Sequence, residues 1–154
     1  MSFERNDRES INKAIDIFTK VIARYPGTNS SLEAYFCIAE SYKKLDLNRL
    51  AYLKYIYLLK NNKKIPVDME KEINARIARL KIMKRYDEEG IHSLLGLLNY
   101  SDNKDFRSRI YTELGHTYLK KGELDRSKRM FDLALSENGN NEDIKKKINV
   151  GVIL

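Results

Sequence analysis

Four small residues, Ala14, Ala51, Gly90 and Ser127, recur along the chain at intervals of 37, 39 and 37. Each is followed four positions later by a bulky residue (Phe18, Tyr55, Leu94, Phe131) and three further on by an apolar one (Val21, Leu58, Leu97, Ala134). Residues at i, i+4 and i+7 share one face of a helix, so each copy predicts an amphipathic helix. A small residue in the middle of such a face lets a second helix axis approach, and the neighbouring bulky side chain fills the groove beside it. The pattern therefore excludes a β-rich fold and requires helices packed in pairs. An isolated helical hairpin cannot bury both of its faces, whereas stacked hairpins can.

The partner helices are legible too. Tyr35-x-x-Ile38-Ala39-x-x-Tyr42 precedes the Ala51 copy, and Tyr111-x-x-Leu114-Gly115-x-x-Tyr118 precedes the Ser127 copy. The Ala51 and Gly115 crossings are expected to be close-packed. Boundary residues divide the chain into helices at 6–24, 30–45, 48–62, 67–85, 88–99, 104–121 and 124–137, with a short terminal helix at 141–150. Ser30-x-x-Glu33 is expected to form a capping box, Asp46 or Asn48 to cap the third helix and Asp87 the fifth. Pro66 suits a first turn, and Gly122 marks a helix stop.

This pattern resembles the tetratricopeptide repeat, whose first helix carries a bulky residue, then Leu-Gly or a similar pair, then Tyr. Its second helix carries Ala, an aromatic and Ala, with a closing Pro. Residues 108–139 match best, with Ser127 in place of Ala and Gly139 in place of Pro. Residues 32–63 match well and residues 6–26 match a second helix ending in Pro26. Residues 67–102 are a worn copy, because Asn74 and Lys81 stand where bulky residues belong. The resemblance implies an all-α, TPR-like α-solenoid of antiparallel helical hairpins, with residues 1–154 forming a single domain. The period exceeds the family's 34, and the stretch "RYPGTNSSLEAYFCIAESYKKL" looks like the longer repeats of bacterial envelope proteins.

The same resemblance implies a function. Proteins of this family bind other proteins, with the first helix of each hairpin lining a concave face. Here that implies Phe36, Glu40 and Lys43 from one repeat and Thr112, His116 and Lys120 from another, with Arg76 and Arg79 between them. One subgroup of the family clamps acidic chaperone C-termini with Lys and Asn; this chain has Phe36, Glu40, Thr112 and His116 at those positions, so that ligand is not expected. The expectation is a non-catalytic scaffold or adaptor holding a peptide or helix of another protein, as part of a bacterial multiprotein assembly.

Composition bounds the alternatives. A lone cysteine, Cys37, and two distant histidines, His92 and His116, offer neither an internal disulfide nor a zinc site, and no Ser, Cys or Asp partner stands at readable spacing for catalysis. No cofactor, metal or small-molecule substrate is expected. The net charge of +7 is spread along the chain rather than gathered in a patch, which favours solubility over nucleic-acid reading. One basic stretch, with Arg76, Arg79, Lys81, Lys84 and Arg85 and no acid, supports the alternative of an RNA- or anionic-membrane-binding repeat. Asp87-Glu88-Glu89 reads as a helix start and Lys145-Lys146-Lys147 as a solvated face near a helix end. The polar N-terminus has no signal-peptide core and no lipidation cysteine, so the chain reads as cytoplasmic, or as periplasmic with an export signal removed. Finally, Ile11, Ala14, Ile15, Phe18, Val21, Ile22 and Tyr25 form an apolar stripe on a half-repeat with no preceding partner, and Ile17 points outside it. That end is expected to meet a second copy, a partner or preceding residues. The apolar Val150–Leu154 is expected to cap the last hairpin, to continue into a longer chain, or to offer a sticky peptide to a neighbour.

Overall fold

In a computed structural model the chain is all-α, and no strand occurs among the described residues. Residues 2–62, 64–84, 87–138 and 142–153 are described; for 2–4, 143 and 150–153 this extends to the backbone alone. Gly139, expected to close the last repeat, and Arg85 lie outside the described residues, as do the side chains of the apolar C-terminus. The helices are α1 (Ser2–Arg24), α2 (Asn29–Lys44), α3 (Asn48–Asn61), α4 (Val67–Met83), α5 (Asp87–Leu98), α6 (Lys104–Lys120), α7 (Leu124–Asn138) and α8 (Glu142–Ile153). The chain divides into two compact units, Met1–Ile73 and Asn74–Leu154, with the boundary inside α4.

In the first unit α2 packs on both α1 and α3. Ala39 of α2 and Ala51, Tyr55 and Leu58 of α3 are fully enclosed, as the repeat phase requires. Thus the small residue sits at the crossing and the aromatic beside it is buried. In the second unit Ala75 and Ala78 of α4, Ile91, Leu94 and Leu98 of α5, and Phe106, Ile110, Leu114 and Tyr118 of α6 form one core. A second cluster joins Phe131 and Ala134 of α7 to Ile144 and Ile148 of α8.

The α6–α7 pair is the tightest example of the repeat. A Cβ on Gly115 would overlap the Phe131 ring, so only glycine allows the two helices this approach. Two serines fasten the pair across the crossing. Ser127 Oγ on α7 donates to the Gly115 carbonyl at 2.8 Å, and Ser108 Oγ on α6 donates to the Ala134 carbonyl at 2.7 Å. A buried hydroxyl without a partner would be costly, and here each is satisfied by the facing backbone.

Helix ends depart from expectation in three places. Thr28, not Ser30, caps α2: its hydroxyl accepts from the Ser31 N–H, two residues earlier than the expected cap. Neither Asp46 nor Asn48 caps α3, which follows Leu47 with no side-chain cap. Asp46 instead closes α2 in the left-handed region at φ 61°, and the Leu47 N–H reaches back to the Tyr42 carbonyl. Gly122 does the same for α6 at φ 78°, with the Glu123 N–H on the Tyr118 carbonyl. Equivalent tyrosines of two repeats thus receive equivalent closing bonds, one permitted by glycine and one by aspartate, a residue tolerated there.

Candidate partner-binding site

The residues expected to line a groove fall into two groups, one in each unit. In the first unit, Phe36 and Glu40 stand one turn apart on α2. The Phe36 ring leans against Tyr55 of α3 at 5.9 Å between centroids, and the Tyr55 hydroxyl donates to the Glu40 carboxylate. Half of Phe36 is therefore committed to packing, and Glu40 already holds a buried tyrosine. Lys43 follows on the same helix, half-buried. Cys37 sits between them, also half-buried; burial, then the Glu33 and Glu40 carboxylates, push its thiol up from its usual range. That disfavours a thiolate and argues against a nucleophile.

In the second unit, Arg79 of α4 and Glu113 of α6 form an ion pair at 3.3 Å. One turn along α6, His116 meets the Phe131 ring edge-on at 5.1 Å. Burial lowers the His116 pKa below the usual 6.5; Glu113 and the Lys147 backbone oppose the shift, while Lys120 and Arg79 reinforce it. His116, Glu113, Arg79 and Lys120 therefore sense one another, a compact set of alternating charge around a largely neutral imidazole. Arg76 is half-buried on α4 and Lys120 exposed at the end of α6.

Thr112 does not belong to this surface. It is only 3% exposed, and its hydroxyl donates to the Ser108 carbonyl one turn back. Thr112 shares its side of α6 with Ser108 and Gly115, which meet α7, and α8 also packs on α6, bringing the Lys147 backbone to His116. The basic stretch on α4 also reads differently in three dimensions. Its missing acids are supplied by other helices, Glu113 for Arg79 and Glu89 for Lys81 at 3.3 Å. The pairing leaves less charge for a polyanion than the sequence implied. His92 is an exposed residue of α5. Among the described residues no group of three His, Cys, Asp or Glu could hold a metal ion, and no helix is long and apolar enough to cross a membrane.

Sequence reading missed Glu113, the acid that draws Arg79 onto α6. It also missed Tyr55 as the partner of Glu40. The spacing of Glu113, His116 and Lys120 at i, i+3 and i+7 was the available signal for the first. Nothing local to Glu40 pointed to a tyrosine fifteen positions away. A tetratricopeptide-repeat family model matches residues 108–141, a stretch that includes most of α6 and all of α7. No curated protein and no solved structure matches the chain.

Proposed function

The chain carries a tetratricopeptide repeat at residues 108–141, repeats of that family are in general protein–protein interaction modules, and from this premise we propose that it is a non-catalytic scaffold holding a segment of another protein. The family repeat is the observation that carries the reading. On it, residues 1–154 act as one TPR-like domain, and each compact unit offers its own face to a partner, α2 in the first and α6 in the second. Phe36 is part-exposed and Lys43 follows two turns along the same helix, which suits a single apolar anchor with a charged rim. Arg79, Glu113 and Lys120 offer both signs of charge to a polar segment. The period that resembles bacterial envelope repeats makes a multiprotein assembly the setting.

The exposed apolar residues of α1 supply a second contact in this reading, a homodimer through the N-terminal helix. Ile17 is 60% exposed and no residue of α1 with a described side chain is fully buried, although α1 packs on α2.

Affinity capture from a native extract tests the assignment, comparing the wild type with Phe36→Ala and Lys120→Glu. Loss of one and the same protein from both variants is the expected result. Equal recovery of every captured protein rejects these faces as the binding surface.

A further inference from the structure

Helix α3 buries Ala51, Tyr55 and Leu58 on one side, yet it also presents large apolar residues to solvent on another. Leu50 is 43% exposed, Leu53 52% and Tyr57 44%. At about 100° of turn per residue these three form a single ridge along the helix. The same geometry places Arg49 and Lys60 on one border of the ridge and Lys54 on the other. The helix sequence, Asn48–Asn61, contains those three cations and no acid. Two acids near the helix have partners of their own: Glu40 accepts from the Tyr55 hydroxyl, and Asp46 from the Asn48 side-chain amide. Tyr57 leans on Tyr35 of α2 at 5.4 Å, and Lys54 lies over that Tyr35 ring at 6.0 Å.

An apolar ridge bordered on both sides by cations restricts its occupant. A second copy meeting ridge to ridge would set Arg49, Lys54 and Lys60 against their own symmetry images, an arrangement that repels. A nucleic acid would use the cations and leave the leucines wet. A protein would need a groove shaped to this one ridge and lined with acids. A bilayer interface needs only a plane, and it receives leucine below, tyrosine near the headgroups and lysine or arginine at the phosphates. The geometry points to an anionic lipid surface as the ligand of α3. The leucines are only about half exposed, so insertion is shallow and depends on the charge for its strength. This face is separate from the α2 residues Phe36 and Glu40, so lipid and partner protein need not compete.

The chain contains no tryptophan, so Tyr57→Trp supplies a single emission signal on the ridge. The full chain is mixed with vesicles of phosphatidylcholine, alone or with about a third phosphatidylglycerol, at roughly 0.1 M salt. Expected are a blue shift and co-flotation with the anionic vesicles only. Binding of the otherwise wild-type chain is expected to weaken about tenfold or more in Leu50→Gln/Leu53→Gln and in Arg49→Glu/Lys54→Glu. Lys128→Glu/Arg129→Glu, an equal charge change on exposed α7 positions, is expected to bind nearly as well; circular dichroism confirms that each variant is folded. The inference is overturned by absence of vesicle binding, by equal binding of the two α3 variants and the wild type, or by equal loss in the α7 control. A ridge that ignores vesicles but is shielded by an acidic protein also overturns it, in favour of a protein occupant.

Discussion

Adding one methyl group at Gly115 tests the repeat crossing most directly. Two opposing terms decide the outcome. Alanine is favoured over glycine inside a helix by about 1 kcal/mol. Against this, the new Cβ would lie 2.6 Å from Cδ1 and 2.9 Å from Cζ of Phe131, well inside contact distance. Phe131 is buried, its edge partner His116 lies at 5.1 Å, and the Ser127 bond to the Gly115 carbonyl pins the facing helix. The ring cannot step aside freely, so the upper part of the ~1–3 kcal/mol range for overpacking applies. Gly115→Ala is therefore expected to destabilise by about 1–2 kcal/mol, a fall of roughly 5 °C in Tm for a chain of this length. Gly96→Ala is the control: nothing lies within 4 Å of its added Cβ, so it is expected to stabilise by about 0.5–1 kcal/mol. In a Phe131→Leu background the clash shrinks, and Gly115→Ala should cost at least ~1 kcal/mol less than in the wild type. Thermal and urea unfolding followed by circular dichroism measure all three effects. If Gly115→Ala shifts stability like Gly96→Ala, the close approach of α6 and α7 is wrong.

Because burial lowers the His116 pKa, the neutral ring is the form the fold prefers. Its contribution to stability is complete above the unfolded value near 6.5 and is lost as pH falls through the depressed folded value. Tm measured from pH 7.5 to 5 should therefore decline more steeply in the wild type than in His116→Asn; parallel curves would contradict it. Arg107 donates from Nε to Glu137 at 2.8 Å and from Nη1 to the Leu98 carbonyl at 2.6 Å, with Nη2 on the Tyr111 hydroxyl at 3.3 Å. Lysine cannot reproduce that fork, so Arg107→Lys should cost about 1–3 kcal/mol in urea unfolding, and an unchanged midpoint would refute the clamp. For α1, light scattering across a dilution series is expected to show a concentration-dependent dimer that Ile17→Lys weakens. A monomer at every concentration, equally soluble in both forms, ends the dimer proposal.

The sequence makes the helices legible because the signal is periodic: Ala51, Tyr55 and Leu58 could be assigned to a buried face without knowing what covers it. All eight helices occur where expected, the largest departure being the start of α1, four residues early. Caps were less legible. Several polar residues crowd each turn, and only backbone angles distinguish Asp46 as the closing residue of α2 from Asp46 as the cap of α3. The candidate site was read least well, for a reason that Thr112 illustrates. The repeat phase says which way a side chain points, but not whether another element arrives to cover it. Ile144 and Ile148 at i and i+4 announced an apolar face on α8, while nothing in their order said that α7, with Tyr111 of α6, would receive it. Arg79 and Lys81 illustrate the converse, since their acids come from α5 and α6 rather than from their own helix.

The two serine-to-carbonyl bonds between α6 and α7 have a kinetic consequence. Both close loops of modest length, since Ser127 reaches back 12 residues to Gly115 and Ser108 reaches forward 26 to Ala134. Contacts this local require little loop closure before they form. The hairpin can thus assemble early, with its register marked by two hydroxyl-to-carbonyl bonds across the crossing. A helix sliding by one turn would strand both hydroxyls in an apolar crossing, so slipped pairings are penalised twice. Amides on the facing sides of α6 and α7 are then the ones that open only when the whole unit does.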